Sequence, residues 1–183
     1  MKLKDNILIF PKKVEYKIKT RLPDKTDIRE VRIIPKGIGY ILEIVYKKKF
    51  HPKPLNKDNI VAIDLGVRNL ITTVNNKGFK PFVIKGGVVK SINQYYNKER
   101  ARIQSTYDHQ GIKTGKAIQK LTHKRNKKIN DYFHKTSRKI IEYCVLNDIG
   151  TVVIGYNQNW KHNCQLGKRN NQNFVTIPFY KLI

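Results

Sequence analysis

Residues Ile60-Val61-Ala62-Ile63-Asp64-Leu65-Gly66-Val67-Arg68-Asn69-Leu70 form an apolar run that admits one carboxylate and closes on a glycine. A second β-branched run, Ile71-Thr72-Thr73-Val74, comes directly after it. That pattern predicts a strand, a tight turn and an antiparallel return strand. A buried strand gains no packing from an aspartate, because an unpaired charge taken out of water is costly. Asp64 therefore asks for a cation, a cage of hydrogen bonds or a bound metal ion. The plainer alternative is a turn aspartate that caps the hairpin. Gly66 is expected to permit the turn, and Arg68 either to neutralise Asp64 or to contact phosphate.

The residues after Val74 restrict the fold further. Asn75-Asn76-Lys77-Gly78 reads as a hairpin turn, and Lys80-Pro81-Phe82-Val83-Ile84-Lys85 as a third short strand closed by Gly86-Gly87. From Val88 to Asn147 the composition is helical, with a break at Asp108-His109-Gln110-Gly111. Beyond the break, Ile118, Leu121, Ile129, Phe133, Ile140, Ile141 and Val145 keep helical spacing while Lys and Arg fill the other faces, so a helical hairpin is expected. Asn147-Asp148-Ile149-Gly150 stops the second helix. Thr151-Val152-Val153-Ile154 is wholly apolar, which predicts a strand buried inside a sheet. A loop through Trp160 and an asparagine-rich stretch comes next, and Ile177-Pro178-Phe179-Tyr180 reads as the first turn of a helix.

Ahead of this block, Asn6–Phe10 and Val14–Lys19 have strand character, and Glu30–Ile34 with Tyr40–Tyr46 make a hairpin about a Pro35–Gly39 turn. His51-Pro52-Lys53-Pro54 reads as a linker, so two parts are expected, 1–58 and 59–183.

The chain has 183 residues, with Lys plus Arg 38 against Asp plus Glu 13, a formal charge of +25. Such an excess implies a polyanionic partner, nucleic acid before any other, through phosphate neutralisation. The candidate contacts are Lys113, Lys116, Lys120, Lys124, Arg125, Lys127, Lys128, Lys135, Arg138 and Lys139. Lys98, Arg100 and Arg102 extend the set, and Tyr95, Tyr96, Tyr107, Tyr132 and His134 are interleaved. A solvated helix face is the bland alternative, but acids that would balance it are few. No apolar run is long enough to span a bilayer, and no signal-peptide core is present, so a cytoplasmic protein without a membrane or small-molecule partner is expected. Cys144 and Cys164 fit no disulfide framework and read as packed, reduced thiols. His123, His134 and His162 lack the spacing to cysteine that zinc sites use.

Three antiparallel strands, a helical crossover and a fourth strand make the opening of a ribonuclease-H-like sheet, the fourth strand lying parallel beside the first. The fold class expected is therefore α/β: a partial RNase H-like (RuvC-like) mixed sheet with a long basic helical hairpin. Ile63–Leu70, the Lys-rich hairpin, Val152-Val153-Ile154-Gly155-Tyr156-Asn157, Trp160-Lys161 and Asn170–Pro178 together resemble the TnpB/OrfB proteins of insertion sequences. That likeness covers roughly residues 28–183. These proteins are RNA-guided DNA nucleases related to type V CRISPR effectors.

The resemblance implies that residues 1–58 are the tail of a wedge-like (OB-like) β-barrel. It implies Mg2+ as cofactor, DNA and a guide RNA as partners in the bacterial or archaeal nucleoid, and Asp64 as catalytic residue and metal ligand. It also places Gly155 where the family often has glutamate at the end of the fourth strand. Neither Asp148, at the other end of that strand, nor Glu142, expected to pair with neighbouring lysines, is placed to substitute. No counterpart of the family's closing zinc ribbon and last aspartate is present, so a truncated nuclease without cleavage activity of its own is expected. The alternatives are a non-catalytic nucleic-acid-binding module and, more remotely, a ribosomal or RNA-structural protein. An uncovered sheet edge and poor solubility are expected as well.

Overall fold

The computed structural model describes residues 2–11, 14–113, 115–157, 159–161 and 167–183. Cys164 and His162 lie outside the described residues. The chain divides into two compact units, Met1–Lys53 and Pro54–Ile183.

In the first unit, β1 (Lys2–Lys4), β2 (Ile7–Ile9) and β3 (Lys17–Lys19) form an antiparallel sheet in that order. Asp5 and Asn6 turn the chain between β1 and β2 with φ of 53° and 60°, values that short polar side chains tolerate. The Asp24 carboxylate accepts both of their backbone N–H groups, at 2.8 and 2.7 Å. Strand β1 escapes a reading by alternation because its three residues are too few to show a period. The strand expected over Val14–Lys19 is confined to Lys17–Lys19. β4 (Asp27–Lys36) and β5 (Gly39–Lys47) make the expected hairpin, longer than foreseen and bulged between Ile28 and Glu30. Gly37, at φ 60°, takes the first of two loop positions, where a II′ turn calls for glycine.

The second unit is built on a four-stranded mixed sheet, ordered β8 (Val83–Lys85), β7 (Asn69–Asn75), β6 (Ile60–Leu65), β9 (Thr151–Gly155). β6 pairs antiparallel with β7 and parallel with β9. The parallel pairing follows from the crossover through α1 (Gly87–His109) and α2 (Lys116–Leu146). Val61, Ile63, Leu65 and Ile71 on one face of the sheet join Val89 of α1 and Ile129, Phe133, Ile140 and Cys144 of α2 in a single buried core.

Three further expectations give way to the structure. β9 is an edge strand, and Val152 and Val153 are 37% and 51% exposed, so it is not buried inside the sheet. The asparagine-rich stretch is not a loop: α3 spans Lys168–Val175 and brings Phe174 against Trp160. The third strand begins at Val83, because Pro81 has no N–H to give a ladder. The final segment makes a single 3-10 turn, Phe179–Lys181, that buries Phe179. Trp160 meets Phe174, Phe179 and Tyr156 edge-on at 5.2, 5.1 and 5.6 Å between ring centroids, which explains its place as packing.

Candidate functional site

Asp64 is the penultimate residue of β6, and its side chain is exposed rather than buried. Alternation along β6 sets Val61, Ile63 and Leu65 toward the helices, so Ile60, Ala62 and Asp64 occupy the opposite face. The pairing register adds Thr72 and Val74 from β7 and Val153 and Gly155 from β9 to that same face. Val74, Val83 and Val153 are 57%, 42% and 51% exposed, so this face of the sheet is open. No ion pair joins Asp64 to a cation among the described residues, Arg68 included. The carboxylate faces solvent.

The loop after Asp64 is held by two close approaches. A Cβ on Gly66 would lie 2.7 Å from the Asn69 carbonyl oxygen, and one on Gly86 2.1 Å from that of Val67. Gly86 also donates its N–H to the Arg68 carbonyl at 2.9 Å. Glycine is thus required at both places by crowding against backbone.

The strand partner of Asp64 in β9 is Gly155. Asp148 sits at the other end of β9, at φ 53°, where its carboxylate accepts the Asn56 N–H and its carbonyl accepts the Asn59 amide. Glu142 pairs with Arg138 at 2.7 Å, an arginine one helical turn back rather than a lysine. A two-metal phosphodiester site needs several carboxylates around the ions. Among the described residues no group of three or more acids, histidines or cysteines could hold a metal ion. Asp64 alone does not fit that chemistry.

The basic hairpin is better furnished. Lys116, Lys120, Lys124, Lys127, Lys128, Lys135, Arg138 and Lys139 are exposed on α2, and Lys113 is exposed in the segment before it. Lys120, Lys124, Lys128, Lys135 and Lys139 are spaced to share about a third of the helix circumference over about 28 Å. That stripe faces away from Ile129, Phe133, Ile140 and Cys144, the residues α2 buries. Lys135 is paired with Asp131 at 2.7 Å and Arg138 with Glu142. Lys98 and Arg100 are exposed on α1, and Arg102 bonds Glu99 at 3.1 Å.

Arg125 differs from the other cations. It is half-buried, donating from Nε to Asn93 Oδ1 at 2.8 Å, from Nη1 to Asn126 Oδ1 at 3.0 Å and from Nη2 to the Thr176 carbonyl at 2.7 Å. Burial pushes its guanidinium down from its ordinary value. It ties α1, α2 and the segment after α3 together. No sequence signal separates it from its neighbours, because its partners stand 32 and 51 positions away.

Tyrosines fix the hairpin at two levels and tie α2 to the sheet at a third. Tyr107 of α1 accepts the Ala117 N–H at 3.3 Å, satisfying a donor in the first turn of α2. Tyr96 shares a hydrogen bond with Thr122 at 3.1 Å. Tyr132 donates to the Lys85 carbonyl at 2.8 Å, and burial raises its phenol above its ordinary value. Tyr95 remains 57% exposed. His134 and the His123 ring have no cysteine beside them to form a metal group among the described residues. Cys144 packs in the core, and burial raises its thiol pKa.

No helix among the described residues is long and apolar enough to cross a membrane. The chain is 27% identical over 101 residues to a TnpB-like protein of Methanocaldococcus jannaschii, a match covering 54% of this chain and 36% of that protein. It is 25% identical over 119 residues to the CRISPR-associated endodeoxyribonuclease Cas12f1 of Syntrophomonas palmitatica, covering 61% of this chain and 24% of that protein. This chain therefore spans about a third or less of the length of either relative. Its fold is similar to that of a protein in a solved Cas12f1-sgRNA-target DNA complex, with a TM-score of 0.60 at 17% identity over 79% of this chain and 29% of that one. Residues 43–161 match the OrfB_IS605 family, described as probable transposases. That span takes in the β6–β7 hairpin, both long helices and β9, and the chain belongs to the OrfB_IS605 family.

Proposed function

We propose that this chain binds nucleic acid along the outer face of the α1–α2 hairpin and supplies part of an RNA-guided DNA nuclease of the TnpB kind. The observation that carries the reading is the row Lys120, Lys124, Lys128, exposed on one face of α2 with no ion pair among the described residues. A solvated helix face would intersperse acids with these lysines at the next turn, and here only Asp131 and Glu142 do so. Phosphate contacts of this type position a strand or duplex without reading its sequence.

In this reading residues 59–183 form the opening of a RuvC-like, RNase H-like domain, and residues 1–58 the tail of a wedge-like barrel. DNA and a guide RNA are the partners, in the cytoplasm at the nucleoid, and Asp64 is one ligand of a Mg2+ site. A non-catalytic binding module is the second reading, favoured by the single carboxylate at the end of β6. Binding of labelled DNA and RNA over a salt series tests the common part. Affinity should fall steeply, with a log–log slope near −0.9 for each phosphate neutralised on duplex DNA. Salt-independent affinity would remove the proposal. Mg2+-dependent cleavage with and without guide RNA, in wild-type and Asp64→Ala proteins, separates nuclease from module.

A further inference from the structure

The hairpin contains a cavity that phosphate binding does not account for. Ile92, Tyr95 and Tyr96 of α1 and Leu121, Lys124 and Lys128 of α2 line a partly open space of about 220 Å3. Ile92 and Leu121 are the aliphatic part of a lining that Ser91 and Arg125 complete. The ring of Tyr96 is held in place: its hydroxyl is bonded to Thr122 at 3.1 Å, and the Arg125 guanidinium lies over the ring at 5.5 Å. Arg125 is anchored in turn by Asn93 and the Thr176 carbonyl. Three hydrogen bonds use three of the five N–H donors a guanidinium carries. Tyr95 is exposed, as are Lys124 and Lys128, one helical turn apart, and all three line the space.

A phosphate clamp has no use for the aliphatic and aromatic side chains that line this space. The cavity is also smaller than the roughly 300–1,000 Å3 of sites that enclose a whole small-molecule ligand, so it suits one planar ring system with the rest of the ligand outside. The bases of a duplex are stacked and paired and do not enter such a space. Unstacked bases of a single strand are commonly held against aromatic rings and Arg planes.

We propose that the cavity between α1 and α2 receives one unstacked base of a single-stranded nucleic acid, placed against Tyr95, with its flanking phosphates on Lys124 and Lys128. The assignment rests on the nucleic-acid-binding reading above and narrows it to single strands at this place. Since RNA and DNA share a base and phosphates, the test carries both.

Fluorescence anisotropy of the full chain is measured with short labelled single-stranded RNA, single-stranded DNA of the same sequence, the DNA duplex and a mononucleotide. Tyr95→Ala should weaken single-strand binding by roughly 5- to 150-fold and leave duplex affinity and the melting temperature unchanged. Tyr95→Phe, which keeps the ring, should retain wild-type affinity. Lys124→Ala should lower the single-strand salt slope by about 0.7. Whichever strand shows the larger Tyr95 effect is the one the cavity takes. Equal losses on single strand and duplex, no loss on either, or a mononucleotide bound as tightly as the oligomer would each overturn the assignment while leaving nucleic-acid binding in place. Wild-type protein that binds no polyanion in a salt-dependent way would instead remove the broader reading and the cavity with it.

Discussion

Asp64 and Gly155 stand directly opposite one another across the parallel β6–β9 pairing. Among the described residues, a Cβ built on Gly155 would touch only the Ile63 carbonyl oxygen, at 3.6 Å, an ordinary contact. Gly155→Asp should therefore fold and set a second carboxylate beside the first. Like charges opposed across strands cost about 0.2–1 kcal/mol, so its melting temperature in EDTA should fall slightly below that of the wild type. Mn2+ should raise it again, and should do so more for the variant than for wild type. A variant blind to Mn2+ would show that the two side chains do not converge.

Arg125 should matter to stability more than any other cation of the hairpin. Arg125→Ala removes a donor from the buried Asn93 side chain and from the Thr176 carbonyl, a loss of about 1–3 kcal/mol for a buried group left unsatisfied. Lys120→Ala, at an exposed position, should stay within about 0.5 kcal/mol. Urea midpoints at constant m-value distinguish them.

The sheet's two faces should respond differently to substitution. Phe133→Ala opens the core between α2 and the sheet and should cost about 3–5 kcal/mol. Val153→Thr, on the open face, should remain within about 0.5 kcal/mol. A large loss at Val153 in thermal or urea unfolding would mean that this face is covered.

Gly86→Ala should be among the most damaging single-methyl additions, since the new Cβ would press on the Val67 carbonyl at 2.1 Å. Overpacking of this kind typically costs about 1–3 kcal/mol. Gly87→Ala, with nothing within 4 Å of its built Cβ, is the control in the same unfolding assay.

Cys144 supplies a pH dependence. Burial raises its folded thiol pKa, so the folded state keeps a proton that the unfolded state releases above about pH 8.5. The contribution is fully present below that value and is lost as pH rises toward the folded pKa. In a Cys164→Ser background the urea midpoint should fall on going from neutral to alkaline pH, and Cys144→Ala should abolish that part of the fall. Thiol reagents should label Cys144 only as the protein unfolds.

Legibility in the sequence tracks the range of the interactions. The β6–β7 hairpin and the helical hairpin can be read because their periods and breaks are local, and the parallel placement of β9 is a consequence of the crossover. The misreadings each depend on what lies on the far side of an element. Four residues at Thr151–Ile154 look the same in a central strand and in an edge strand with an open face. Asparagines favour turns, yet α3 forms where Phe174 packs on Trp160, and tertiary contact outweighs propensity. Asp64 stands out by its oddity in an apolar run, but its exposure comes from the emptiness of the face it occupies. The cavity is foreshadowed only by tyrosines interleaved with lysines, since the helix pairing that forms it is not written in either helix alone.

Helices cover one side of the sheet, and Asp64 occupies the other. The lysine stripe of α2 points away from the residues that α2 buries, so the stripe and the carboxylate lie on opposite sides of this unit. On the proposed reading, a strand laid along the lysines would have to turn round the rim of the sheet to reach Asp64, so this unit would be a corner over which a polymer bends.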